Sequence, residues 1–156
     1  MSEKKTGSLF ELCFEISCLI SDDYLQFKPL LKKMGRNLGV IFQMQDDILE
    51  MSTTSENMGK GTNSDIERSK KTILSSMALD QDKDAWNELQ EEIKNRSIVE
   101  KKQLLKEYYK NSGIIEKSQE LLLNFDNKCK NIIKSLPIEV QDDMITLLNM
   151  ILKRVK

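Results

Sequence analysis

An all-α fold is predicted, and three observations predict it. Two prolines and six glycines in 156 residues leave few helix breakers, while Leu, Lys, Glu, Met and Ile are plentiful. One full heptad after Ile115, apolar residues recur at alternating steps of three and four through Leu122, Phe125, Cys129, Ile132 and Leu136. No stretch sustains the period-two alternation of a strand. The length fits one domain over residues 1–156. A formal charge of −1 provides no basic field for nucleic acid. The absence of histidine excludes imidazole catalysis and His-ligated zinc. Three cysteines without CxxC spacing read as small buried hydrophobes in a reducing, cytoplasmic setting. No apolar run approaches the roughly 20 residues of a membrane helix, and the N-terminus has no signal-peptide core.

Helices are expected near 5–20, 27–51, 65–79, 83–95, 98–111, 114–135 and 138–154. In the first, Leu9, Phe10, Leu12, Cys13, Phe14, Ile16, Leu19 and Ile20 cover nearly every face. In the second, so do Leu30, Leu31, Met34, Leu38, Val40, Ile41, Phe42, Ile48 and Leu49. Helices apolar all round are normally surrounded by others. The remaining helices are shorter and more polar, so the chain reads as one wall of something larger than itself. Gly35 and Gly39 permit close helix packing. A polar loop, Ser52–Ser64, precedes the third helix, with Asp65 as its cap. Trp86 on the charged fourth helix covers a local apolar patch, and Tyr108 and Tyr109 read as structural. In the last helix Val140, Met144, Leu147, Ile151 and Val155 repeat the pattern, with Pro137 in its first turn.

The second helix carries one polar stripe: Arg36, Gly39, Gln43, Asp46, Asp47 and Glu50. At 100° per residue the three carboxylates fall within about 100° of arc. Crowded there they repel one another and lose solvation unless cations compensate. Hard oxygen donors with no nitrogen or sulfur point to Mg²⁺, held together with substrate phosphate. Taken alone, DDxxE also describes a solvated acidic helix end. Downstream, Gly59-Lys60-Gly61 offers backbone and a point charge to an anion, and Lys70, Lys71 and Thr72 follow Asp65. Upstream, Lys5-Thr6 opens the first helix, whose N–H groups can help hold phosphate. Together these residues describe a magnesium–diphosphate site.

The stretches Lys5-Thr6-Gly7-Ser8-Leu9-Phe10, Gly35, Leu38-Gly39 and Phe42-Gln43-Met44-Gln45-Asp46-Asp47-Ile48-Leu49-Glu50 resemble the trans-type isoprenyl diphosphate synthases, the polyprenyl synthetases. So do Gly59-Lys60, Asp65, Lys70-Lys71-Thr72, Ser112-Gly113 and the basic end Lys153-Arg154. The resemblance runs from Lys5 to Lys156 and is confined to the family's C-terminal half. It implies about seven helices of the isoprenoid synthase bundle, which usually pairs as a homodimer. It implies that Asp46, Asp47 and Glu50 are the second of two aspartate-rich motifs holding Mg²⁺. Lys5, Lys60 and Lys70 would bind the diphosphate, and Thr6 and Gln43 would line the pocket beside the forming carbocation. The implied substrates are isopentenyl diphosphate and an allylic diphosphate.

The first aspartate-rich motif and the residues that hold isopentenyl diphosphate have no counterpart in this sequence. Glu50 stands where a third aspartate is usual, and Ser69 and Leu74 where Gly and Pro are usual. One expectation is therefore a synthase half that is inactive alone and needs a complementing N-terminal half. The alternative is a non-catalytic module that binds a partner, or a second copy, through its apolar wall.

Overall fold

The computed structural model describes residues 6–20, 22–52 and 71–153. Lys5, Lys60, Asp65 and Lys70, all singled out above, lie outside them. The described residues form seven α-helices: α1 (Ser8–Ile20), α2 (Lys28–Ser52), α3 (Ile73–Gln81), α4 (Lys83–Ile93), α5 (Ile98–Asn111), α6 (Ile114–Ile133) and α7 (Ile138–Leu152). A 3-10 helix, Asp22–Phe27, leads into α2. The all-α expectation holds. None of the helices searched is long and apolar enough to cross a membrane. Thr72 caps α3, and Pro137 sits at the cap of α7 rather than within its first turn.

The described residues group into two compact units, one reaching Gln45 and resuming at Glu120, the other running from Asp46 to Gln119. In the first unit Phe14, Cys18, Leu31, Met34, Leu38, Ile41, Cys129, Ile133 and Leu148 form the core. The glycines of α2 set its closest approach. A Cβ on Gly35 would stand 2.7 Å from the Glu11 nitrogen, and one on Gly39 would overlap the backbone of Gly7 and Thr6. Two helices can approach this closely only where side chains are missing. Glu11 pairs with Arg36 and Lys32, and Glu15 with Lys32 and Lys28, so acids spaced by four meet bases spaced by four in reverse order. The helices are therefore antiparallel. The hydrogen bond from Lys32 holds the Glu15 carboxyl below the usual carboxylate range.

Among the described residues, helix α1 is not surrounded. Phe14 and Cys18 are buried on one side of it, whereas Leu9, Leu12, Ile16, Leu19 and Ile20 are 47–81% exposed. Residues 9, 12, 16 and 19 follow helical spacing and lie nearly opposite 14 and 18, so α1 carries two apolar stripes and buries one. Cys13 is exposed as well, against the reading of all three cysteines as buried. Cys129 is buried, which pushes its thiol up to about 12, helped by the charge of Asp126.

The second unit packs Leu74, Ala78, Trp86, Leu89, Ile93, Leu105, Tyr109 and Ile114 around Met51. Asp82 ends α3 and caps α4, its side chain accepting from the Ala85 N–H at 3.0 Å. Ser97 and Glu100 form a capping box at α5. Gly113, with φ of 71°, makes the turn into α6. Gln81 bridges that turn to α3, donating to the Ser112 carbonyl and accepting from Lys117.

The Gly39 contact leaves no room for a methyl group. We expect Gly39→Ala to lower stability by about 1–3 kcal/mol in urea unfolding. Asn87→Ala, on an exposed face of α4, should stay within about 0.5 kcal/mol. Equal midpoints for the two would show that the helices do not rely on this contact.

Candidate functional site

The three carboxylates occupy the last two turns of α2, a helix with no basic residue in its final turn. A helix C-terminus is itself partially negative, so their charges accumulate at the unfavourable end. The structure answers with a second helix. Asp47, only 3% exposed, accepts a hydrogen bond at 2.6 Å from the backbone N–H of Ile73, the first residue of α3. A buried carboxylate thus faces the positive end of another helix dipole. Thr72 completes that end. Its hydroxyl accepts from the Ser75 N–H at 3.0 Å, and its own N–H donates to the Ser75 hydroxyl at 2.8 Å.

Asp46 and Glu50 are half-buried and lie one helical turn apart. Tyr109 of α5 reaches the same region. Burial raises its phenol well above the ordinary range, and the charges of Asp47 and Glu50 add to the effect while a hydrogen bond to Thr72 opposes it. Tyr109 therefore remains a neutral phenol beside the carboxylates. Sequence reasoning set Tyr109 aside as structural. No local signal marks it, because it stands far along the chain from Asp47.

Two further residues are placed in the first unit. Thr6 is half-buried, and its carbonyl carbon lies where a Cβ on Gly39 would point. Gln43 is half-buried one turn further along α2. Gly39 is thus a packing position, not part of a polar face. Gln45, next to Asp46, donates at 3.0 Å to the Leu152 carbonyl at the end of α7. Sequence reasoning gave it no role, although it lies within the quoted motif.

Among the described residues no three Cys, Asp or Glu side chains gather closely enough to hold a metal ion. The donor chemistry still fits Mg²⁺, which takes one or two protein carboxylates and fills its octahedron with phosphate and water oxygens. Asp46 and Glu50 offer that pair, and Asp47 is engaged with α3.

Removing the Asp47 carboxylate should uncap α3. Asp47→Ala is expected to cost about 1–3 kcal/mol in urea unfolding, and Asp47→Asn, which keeps an acceptor, distinctly less. Wild-type stability in both variants would show that the Ile73 contact carries no weight.

The family model for polyprenyl synthetase matches residues 1–111. The chain is 34% identical over 99 residues to a short chain isoprenyl diphosphate synthase of Methanocaldococcus jannaschii, covering 63% of this chain and 30% of that protein. It is 38% identical over 84 residues to a farnesyl diphosphate synthase of Micrococcus luteus, covering 54% and 29%. Among solved structures it is similar to the apo form of an Arabidopsis medium/long-chain length prenyl pyrophosphate synthase. That match has a TM-score of 0.78 and 27% identity and covers 99% of this chain but 53% of that one. The chain therefore spans about a third of the curated relatives it matches and about half of the solved one. The family model covers well over half of the residues, and the solved structure shares the all-α fold: the chain belongs to the polyprenyl synthetases.

Proposed function

We propose that the chain supplies the second metal–diphosphate half of a prenyl diphosphate synthase. The observation that carries this reading is the acidic end of α2, with Asp46 and Glu50 one turn apart and Asp47 anchored on the α3 N-terminus. Such a cluster costs free energy unless a cation joins it. Asp46 and Glu50 would hold Mg²⁺, and Asp47 would keep their helix in place. When bound, Mg²⁺ would supply charge neutralisation to a diphosphate leaving group. Lys5, Lys60 and Lys70 would add point charges to the same diphosphate. Thr6 and Gln43 would line the pocket where the allylic C–O bond breaks, its electron pair leaving with diphosphate. The double bond of isopentenyl diphosphate would then form the new C–C bond, and the proton lost from it would pass to the released diphosphate. Tyr109, a neutral phenol, can donate a hydrogen bond near the carboxylates without adding charge.

With one aspartate-rich motif, the chain alone lacks the charges that would complete the site. Losing a single preorganised donor already costs roughly 2.7–4 kcal/mol of transition-state stabilisation. The complement would be a polypeptide bearing the first motif, or a second copy. The exposed stripe Leu9, Leu12, Ile16 and Leu19 supports such a covering partner, since a contiguous apolar row is an interaction surface. A purely non-catalytic module would also use that stripe, but it would have no need of the carboxylates. The cytosol suits a protein with three free cysteines.

Isothermal titration with an allylic diphosphate tests the metal half directly. We expect binding with Mg²⁺, none with EDTA, and at least about tenfold weaker binding in Asp46→Ala, the loss of one charged ligand being worth about 1.4 kcal/mol or more. Binding that ignores both Mg²⁺ and Asp46 would overturn the assignment.

A further inference from the structure

Two buried polar atoms in the first unit lack partners among the described residues. Asn37 of α2 and Asp126 of α6 are each only 7% exposed. The Asn37 Nδ2 and the Asp126 Oδ1 are sealed from solvent, and neither makes a hydrogen bond there. Both residues interrupt apolar seams. Asn37 shares a face of α2 with Met34 and Ile41, and Asp126 lies one turn from Cys129 on α6, these three neighbours being fully buried. The two polar groups converge on the Cys129 thiol: the Asn37 amide approaches the sulfur, and the Asp126 charge helps to keep it protonated. Sulfur is a weak acceptor, so it does not replace the partner that a buried amide N–H requires. The other carboxylate oxygen of Asp126 accepts from Lys130 at 2.7 Å, which leaves Oδ1 over.

We propose that an internal water molecule occupies this point, accepting from Asn37 Nδ2 and donating to Asp126 Oδ1, and so bridges α2 to α6. Its neighbours select the occupant. One atom needs an acceptor and the other a donor, and water supplies both at once. An anion would meet the Asp126 carboxylate. A metal cation would meet the Asn37 N–H groups and a carboxylate already paired with Lys130. An apolar filling would leave both atoms orphaned at full desolvation cost. The second hydrogen of the water points to the Cys129 sulfur, which completes the three contacts usual for a buried water. No residue of the proposed metal–diphosphate half takes part, so the inference stands apart from that reading.

NMR of the full chain, isotopically labelled, tests this through dipolar transfer between water and the Asn37 side-chain amide. Laboratory-frame and rotating-frame spectra together separate a bound water from hydrogen exchange by the sign of the cross-peak. The expected result is a dipolar cross-peak with the sign of a long-lived water, lost in Asp126→Leu. Urea unfolding supplies a second readout. Asn37→Leu and Asp126→Leu should each lower the midpoint, because each leaves one orphaned atom behind, and the double variant should lower it by clearly less than the sum of the two. An Asn37 amide without a water contact, a water contact indifferent to Asp126→Leu, or additive losses in urea would overturn the proposal.

Discussion

The hydrogen bond from Ile73 to Asp47 is the constraint on which the site rests. Three carboxylates crowd the negative end of α2, and nothing basic in that helix's last turn relieves them. The N-terminus of α3 supplies the compensating charge through a 2.6 Å bond to a carboxylate that is nearly inaccessible to water. Much follows from that one contact. It sets where α3 begins, which places Thr72 to close its capping box and to meet the Tyr109 phenol. Asp46 and Glu50 on the same two turns are thereby held in position.

A different constraint governs the first unit. Gly35 and Gly39 bring α2 against the backbone of α1, and the Glu–Lys/Arg ladder fixes the antiparallel register. The ion pairs are partly exposed and worth little individually, so the glycines and the apolar core carry most of the packing. The close contact occupies one face of α1 and leaves the second apolar stripe open. A helix with two apolar faces gains stability from both only when something covers the second.

Much of this was legible in the residues. The three-and-four periodicity placed α2 and α4 through α7 to within a few residues, because amphipathic helices declare their buried face locally. The spacing of Gly35 and Gly39 correctly announced a close crossing. The acidic stripe on α2 was visible for the same reason. What the sequence concealed depends on distant partners. Asp47 reads like its neighbour Asp46, and only the arrival of Ile73, 26 residues along the chain, marks it as the carboxylate that accepts from the start of α3. Tyr109 has no local mark, since its surroundings come from α2 and α3. Cys13 misled because an apolar neighbourhood in sequence became an exposed stripe in space. The helix start expected at Asp65 lies outside the described residues, and Thr72 caps the helix that begins at Ile73.

The central claim is that this chain carries one of two metal–diphosphate halves. Its most direct test is transfer of labelled isopentenyl diphosphate to an allylic primer with Mg²⁺, by the chain alone and mixed with a polypeptide bearing the first aspartate-rich motif of a relative. The account expects no product above background from the chain alone and product from the mixture, lost again when Asp46 is replaced by alanine. Product from the chain alone that disappears in Asp46→Ala would contradict it, because a working site would then be built from a single motif.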